Sequence, residues 1–351
     1  MTKRIEPVTS LISLGLALPQ HAISQSEMLS ILERAKGKTL PPRMADILGN
    51  TGIKRRYIAM PPEYYFEERS WPGRAQIYEQ AAVALFEQAA SMALDRAGLL
   101  PPDIGQIVYI STTGTMTPSL PSRMIERMGF RPGTRSVPVF GYGCAGGVIG
   151  LGLAADLHRA SLHHASPEKP ILLVALELCS LAYDHTRMSK KDMVATALFA
   201  DGCAAAIVGQ GAGPKLSAFA QNTWPATLDM MGWEIGATGF DLVLARDIPA
   251  FVTRGFAPVC DAFLAQHELP KAAIGEPVCH PGGGRVVDAL AGYFGQDLAA
   301  TRKILAEHGN MSSPTVLFVL EEILRQGPLK KPAVMTALGP GFVGAMGLLL
   351  P

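Results

Sequence analysis

The sequence predicts an α/β fold, and three observations carry that prediction. The run at 171–176 is continuously apolar, the pattern of a strand buried on both faces of a sheet. Residues 74–97 place Ile77, Ala81, Leu85, Gln88, Ala89 and Met92 at a near-helical period, and Gly98 with Pro101-Pro102 ends that helix. Strand-like and helix-like segments then alternate through the front and the back of the chain, as a layered α/β protein requires.

The remaining elements follow in order. Residues 1–24 read as a strand and a proline-terminated loop. Residues 26–62 hold a short helix, the pairs Pro41-Pro42 and Pro61-Pro62, and a basic cluster, Lys54-Arg55-Arg56, whose usual fate is a solvated surface. A strand at 107–111 and a helix at 122–128 precede a strand at 137–140 and a helix at 147–160. After 171–176 come a polar loop (184–192), a strand at 204–208 and a glycine-rich seam at 210–214. The back of the chain reads as a strand pair near 216–219 and 242–244 and helices at 251–267, 285–294 and 315–325. A further helix through 307 is expected to be capped by Asp297, and the last strand falls at 334–338.

Composition narrows the function. Of 351 residues, 48% are hydrophobic and 17% charged, so much of the chain is buried in a large core or a subunit interface. With 31 basic against 30 acidic residues, nothing argues for nucleic acid or an anionic membrane. Cys144, Cys179, Cys203, Cys260 and Cys279 form no CxxC pair, and read as the reduced thiols of a cytoplasmic protein. Residues 11–18 are too short and too glycine-broken for a signal or spanning helix, and no apolar stretch approaches twenty residues, so a soluble protein is expected.

The stretch Gly141-Tyr142-Gly143-Cys144-Ala145-Gly146-Gly147 lies where a strand turns into a helix. Glycines on both sides let the chain bend there and let another backbone come close. A thiol at a helix N-terminus feels the positive end of the dipole, which favours the thiolate. Read alone, Cys144 is also compatible with a buried cysteine in a glycine-rich turn. Two partners are on offer. His280 follows an apolar run and precedes Pro281-Gly282-Gly283, and Asn310 sits in Gly309-Asn310-Met311-Ser312-Ser313. Singly, these are a core histidine and a helix-start turn; together they suggest a constellation.

Those motifs, with Ala197-Leu198-Phe199-Ala200-Asp201-Gly202, Asp288 after His280-Pro281-Gly282-Gly283, and Gly339-Pro340-Gly341, resemble the type III polyketide synthases, the chalcone-synthase-like branch of the thiolase-fold condensing enzymes. They stand in the family's order over essentially the whole chain. The resemblance implies a layered αβαβα fold of two similar halves, 1–210 carrying the cysteine and 211–351 carrying the histidine and asparagine. It implies Cys144 as acyl carrier, with His280 pairing with the thiolate and joining Asn310 in an oxyanion hole for the enolate left by malonyl decarboxylation. Decarboxylation generates the carbanion without a general base, so no carboxylate is expected beside these three. Phe199 matches the family's gatekeeping Phe, and a second is expected near Phe240. Thr112, Cys179, Ala182 and Ser312 fall at cavity-lining positions, with Gly339, Pro340 and Gly341 in a substrate-side loop.

Cys179 and Ala182 depart from the threonines of plant chalcone synthases. That departure leans toward a fatty acyl starter and a pyrone or resorcinol product. Thr117 stands where plant enzymes send a Met across the dimer interface. Arg43, Lys54 and Arg55 are the candidates for the phosphates of coenzyme A. The implied protein is a homodimer without cofactor or metal, acting on malonyl-CoA and acyl-CoA. An initiating β-ketoacyl synthase and a non-catalytic acyl-CoA-binding protein are the alternatives.

Overall fold

The computed structural model describes residues 8–36, 39–67, 69–162, 169–182, 189–236, 239–245 and 247–351. The first half contributes strands β1 (Ser10–Ala17), β2 (His21–Ser24), β3 (Arg55–Ile58), β4 (Gln106–Ile110), β5 (Arg135–Val139), β6 (Ile171–Leu178) and β7 (Asp201–Gly209). Its helices are α1 (Gln25–Lys36), α2 (Pro42–Gly49), α3 (Trp71–Ala97), α4 (Leu120–Met128), α5 (Gly146–Ser161), α6 (Cys179–Ala182) and α7 (Lys190–Leu198). The second half supplies β8 (Lys215–Thr223), β9 (Met231–Gly236), β10 (Gly239–Leu244), β11 (Val278–Cys279), β12 (Ala333–Gly339) and β13 (Val343–Leu350). Its helices are α8 (Ile248–Phe251), α9 (Ala257–Gln266), α10 (Gly284–Phe294), α11 (Ala299–His308) and α12 (Thr315–Leu324).

Nine strands run in the order β11-β12-β13-β8-β1-β7-β6-β4-β5. The two halves repeat one pattern. In the first, β1 is antiparallel to β7, β7 to β6, and β6 parallel to β4; in the second, β8 is antiparallel to β13, β13 to β12, and β12 parallel to β11. The halves meet edge to edge through β1 and β8 at the single pair Ser10 and Lys215.

Helices α5 and α12 fill the space between the halves. α5 touches β4, β6 and β7 on one side and β8, β12 and β13 on the other, and it also packs on α12. Their side chains, including Val148, Leu151, Val316, Leu317 and Leu320, form one core with Ile110, Leu173, Ala204, Met335 and Ala345. A helix segment buried all round must be apolar, which is how the first part of α12 reads: Thr315 to Leu320 are all buried, while Glu321 and Glu322 behind them pair with Arg96 and Lys303. On the far face of the first sheet α3 packs with Phe86, Ala89, Ala90 and Leu94, and on the far face of the second α9 and α10 pack with Phe256, Cys260, Val287 and Leu290. The result is five layers, α-β-α-β-α. The strand β6 is buried along its whole length, so its unbroken apolar run follows from cover on both faces.

Helix ends follow local chemistry. Ser70 accepts a hydrogen bond from the Gly73 amide at the start of α3, and Gly98 closes that helix in the left-handed conformation, φ 65°. Several expectations are corrected. Asp297 is not the cap of α11: Leu298 holds that position at φ 55°, and Asp297 instead pairs with Arg302. Residues 242–244 pair with β9, not with the strand at 215–223. The loop expected at 184–192 is helical from Lys190, and 184–188 lie outside the described residues. The helix expected at 251–267 starts at Ile248 and carries a π turn at Val252–Phe256. Arg56 is buried, not solvated.

The segment Ile248–Gln266 is, among the described helices, the one long and apolar enough to cross a membrane. Its apolar side chains Val252, Phe256, Phe263 and Leu264 lie in the core with Val334, Leu338 and Met346, so packing accounts for its composition.

The central layer is tight where α5 begins. A Cβ on Gly147 would lie 2.3 Å from the Ser313 carbonyl oxygen. Gly147→Ala should therefore destabilise the protein by about 1–3 kcal/mol, seen as a lower urea midpoint with an unchanged slope.

Candidate active site

Cys144 lies in a 3-10 turn, Gly143–Ala145, directly before α5. Gly143 has φ 45°, and a Cβ there would meet the Pro340 ring at 2.8 Å, so glycine is required by conformation and by space. The Gly143 amide donates to Thr112 Oγ1 at 2.9 Å, tying the turn to the end of β4. Asn310 comes from the other half, in the turn before α12. Its backbone pairs with the Phe199 segment: the Asn310 amide donates to the Leu198 carbonyl at 3.0 Å, and the Ala200 amide to the Asn310 carbonyl at 2.9 Å. His280 follows β11, its amide donating to the Thr336 carbonyl at 2.8 Å.

Cys144, His280 and Asn310 are 8%, 3% and 2% exposed, and all three line one cavity of about 870 Å³. Asn310 Oδ1 accepts from the Ser312 amide at 2.8 Å and faces Cys144 Sγ, whose S–H donates to it at 3.8 Å. Ser312 makes this possible by adopting φ 61°, a rare conformation for a non-glycine residue. With Oδ1 so engaged, the amide nitrogen of Asn310 is the end left for a ligand. Neither nitrogen of the His280 ring has a hydrogen-bond partner among the described residues.

The electrostatics differ from the sequence expectation. Burial pushes the Cys144 thiol up to about 11, a hydrogen bond from Ser312 offsets this in part, and the negative charge of Glu177 adds to it. Burial likewise pushes the His280 imidazole down to about 3. In the resting site desolvation outweighs the helix dipole, so both groups are neutral. A thiolate forms here only together with a charge that compensates it.

Glu177, at the end of β6, supports the candidate site from behind the cavity lining and was not selected by the sequence reading. It is fully buried, and burial raises its pKa. Its carboxylate accepts from the amides of Thr112 and Thr113, from Thr113 Oγ1 at 2.6 Å and from Ser313 Oγ at 3.1 Å. It thus joins the loop after β4 to the turn before α12. The signal was a lone carboxylate closing an unbroken apolar run.

The cavity wall sorts the other candidates. Thr112, Cys179, Phe199, Ser312 and Pro340 line it. Gly339 and Gly341 do not; Gly339 passes so close to Tyr142 that a Cβ would lie 2.4 Å from its carbonyl oxygen, and Gly341 turns the chain at φ 67°. Ala182 and Phe240 face a separate small pocket of about 30 Å³ with Trp71, Arg74 and Tyr78. Leu242 and Trp233 take their place on the main wall, and Trp233 packs on Phe199 with ring centres 5.5 Å apart. Phe240 and Leu242 share one face of β10, and Phe240 packs behind Trp233 with ring centres 6.0 Å apart, so the Trp233 ring stands between it and the main cavity.

Lys54 and Arg55 are exposed but away from the cavity, Arg55 lying over the Tyr57 ring; the Arg43 side chain lies outside the described residues. Among the described residues, the lysine and arginine on the cavity lining are Lys191 and Arg285, in the first turns of α7 and α10.

Comparison with known proteins agrees with this arrangement. The family model for the N-terminal domain of chalcone and stilbene synthases matches residues 1–214, and that for the C-terminal domain matches 215–349. The chain therefore belongs to the chalcone and stilbene synthase family, the type III polyketide synthases, which are condensing acyltransferases acting on malonyl-CoA and acyl-CoA. It is 37% identical to 1,3,6,8-tetrahydroxynaphthalene synthase of Streptomyces peucetius subsp. caesius, over 98% of this chain and 94% of that one. Identity to the enzyme of the same name from Streptomyces coelicolor is 33%, over 95% and 90%. The crystal structure of tetrahydroxynaphthalene synthase from Streptomyces coelicolor A3(2) superposes with a TM-score of 0.90, covering 97% of this chain and 99% of that one at 30% identity. The fold is the thiolase-like one.

The charge and hydrogen-bond effects on Cys144 have opposite signs and can be separated. Glu177→Gln removes a negative charge that opposes the thiolate, so the pH profile of iodoacetamide alkylation of Cys144 should move to lower pH. Ser312→Ala removes a stabilising donor and should move it to higher pH.

Proposed function

We propose that Cys144, His280 and Asn310 carry out decarboxylative condensation of malonyl units, and that the product is a polyhydroxylated aromatic built without a long acyl tail. The observation that carries this reading is that three side chains from separate segments open on one largely apolar cavity. Its near end holds a thiol, and Lys191 and Arg285 stand on its lining.

The chemistry runs as follows. Proton transfer from Cys144 Sγ to His280 creates two adjacent opposite charges, and their attraction offsets the cost of burying each. The thiolate attacks the acyl thioester and releases the CoA thiolate. A malonyl thioester then loses carbon dioxide, and the electron pair of the broken C–C bond becomes an enolate on the thioester oxygen. The imidazole N–H and the Asn310 carboxamide N–H donate to that oxygen, a stabilisation whose loss costs about 10²–10³ in rate. The enolate carbon attacks the Cys144 thioester, the C–S bond breaks, and the thiolate returns.

The wall favours a short starter. Trp233, Phe199 and Leu242 put bulky side chains on the cavity wall, and Ala182, expected to widen the cavity, lies on the separate small pocket. Tetrahydroxynaphthalene, the product in the names of the relatives above, is an all-ring compound with no alkyl tail. The fatty acyl reading rests instead on Cys179 and Ala182, of which Cys179 lines the main cavity and Ala182 the small pocket beside Phe240. Lys191 and Arg285, with the positive ends of α7 and α10, suit the phosphates of coenzyme A. The exposed Phe140 and the exposed edge of β5, close to the Cys144 turn, suit the face of a homodimer.

Incubation with radiolabelled malonyl-CoA, alone and with acyl-CoAs of increasing length, tests the starter by product mass. Aromatic product from malonyl-CoA alone is expected, with no extension of long-chain starters; efficient extension of a long fatty acyl-CoA would transfer the case to the alkylpyrone reading. No extended product with any starter would refute the condensation itself. Reversing the charge of Lys191 or Arg285 to Glu should raise the KM for malonyl-CoA and leave kcat nearly unchanged.

A further inference from the structure

The basic cluster at 54–56 divides in the fold. Lys54 and Arg55 face outward, while Arg56 has no exposed surface. Its guanidinium takes no part in the condensation chemistry, yet it lies beneath the strip of chain that both halves use to build the site. It donates to the main-chain carbonyls of Thr196, Ala197 (2.6 Å) and Phe199 (3.1 Å), and to the side-chain oxygen of Gln25. The first three acceptors are at the C-terminal end of α7, where carbonyls lack helical partners and the dipole is negative. Across from them the Phe199 segment is paired with Asn310, as described above. Gly309, beside Asn310, is so near that a Cβ there would lie 3.4 Å from the Arg56 Cβ and 3.1 Å from the Ala200 Cβ. Gln25 holds the fork from behind, its amide donating to the Leu48 carbonyl at 2.7 Å and to Thr51 Oγ1 at 3.0 Å.

We propose that Arg56 is a positioning residue: its buried fork fixes the end of α7, and through it the register of Phe199 against Asn310. A guanidinium suits this task because it offers a planar, rigid set of donors, whereas an ammonium is a point charge on a flexible stem. The inference rests on the role given above to Asn310. Decarboxylation depends on where the carboxamide points, and small displacements of a positioned group cost about a hundredfold. Product length depends on where the Phe199 ring stands in the cavity.

Arg56→Lys keeps the charge and loses the fork. The variant is expected to fold with a lower Tm and to keep the wild-type pH profile of Cys144 alkylation, because Arg56 does not touch the sulfur. Its kcat for malonyl-CoA decarboxylation should fall about ten- to a hundredfold with little change in KM, and its products should spread in length. Gln25→Met loosens the far side of the same fork and should give the same changes at smaller size. A lowered Tm with wild-type kcat and product masses in both variants would overturn the proposal. If Arg56→Lys does not fold, Gln25→Met decides on the same readings. Asn310→Ala, run alongside, separates this inference from the functional reading. Undiminished decarboxylation there refutes the site assignment, whereas loss there with a wild-type Arg56→Lys refutes only the positioning role.

Discussion

Two main-chain hydrogen bonds, from the Asn310 amide to Leu198 and from the Ala200 amide to the Asn310 carbonyl, fasten the second half of the chain to the first at the reacting centre. Everything chemical in the molecule depends on that seam. The thiol enters from the front half at the start of α5, and the carboxamide enters from the back half at the start of α12. Both helices lie in the one layer shared by the two sheets. Glycines make the meeting of their N-termini possible: Gly147 lets backbone approach the Ser313 carbonyl, while Gly143 and Gly146 leave room for the Pro340 ring and the Ile110 side chain. The fold is thus a device for bringing two helix starts to the same cavity.

The second constraint is desolvation. Cys144, His280, Asn310 and Glu177 are all buried. Burial keeps the thiol and the imidazole uncharged at rest and raises the pKa of Glu177. A site of this kind spends little reorganisation when negative charge develops on a substrate oxygen, because its donors are already fixed. Glu177 does not touch the sulfur. It orders the Thr112–Thr113 loop and Ser313, which hold the groups that do.

Much of this was legible in the letters. The alternation of elements and the unbroken run of β6 pointed to the α/β class and the glycine elbow to a strand-to-helix turn at Cys144, since those patterns follow from burial and backbone geometry; the layering came from the family resemblance. Cys144, His280 and Asn310 were singled out together through the family resemblance of their glycine-rich turns, and the three line one cavity. What stayed hidden depends on contacts remote in sequence. Arg56 looked like a surface cation because composition does not display the carbonyls of Thr196 and Phe199 that bury it. Phe240 was expected as a gate from the resemblance alone, and the sequence does not display Trp233, brought from β9, that stands between it and the cavity. Asp297 looked like a cap because Leu298 takes a left-handed backbone that its side chain does not advertise.

The hairpin β9–β10 stands apart from the rest of the wall. It is a two-stranded ribbon outside the nine-stranded array, and it presents Met231, Trp233, Leu242 and Leu244 to the cavity. The Cys144 turn, by contrast, has no room for new side chains, since a Cβ at Gly143 or Gly339 would collide with Pro340 or with Tyr142. Diversification of such a catalyst is therefore channelled: lineages, or engineers, can remodel the ribbon and leave the reacting groups undisturbed, so one chemistry can serve many molecular shapes.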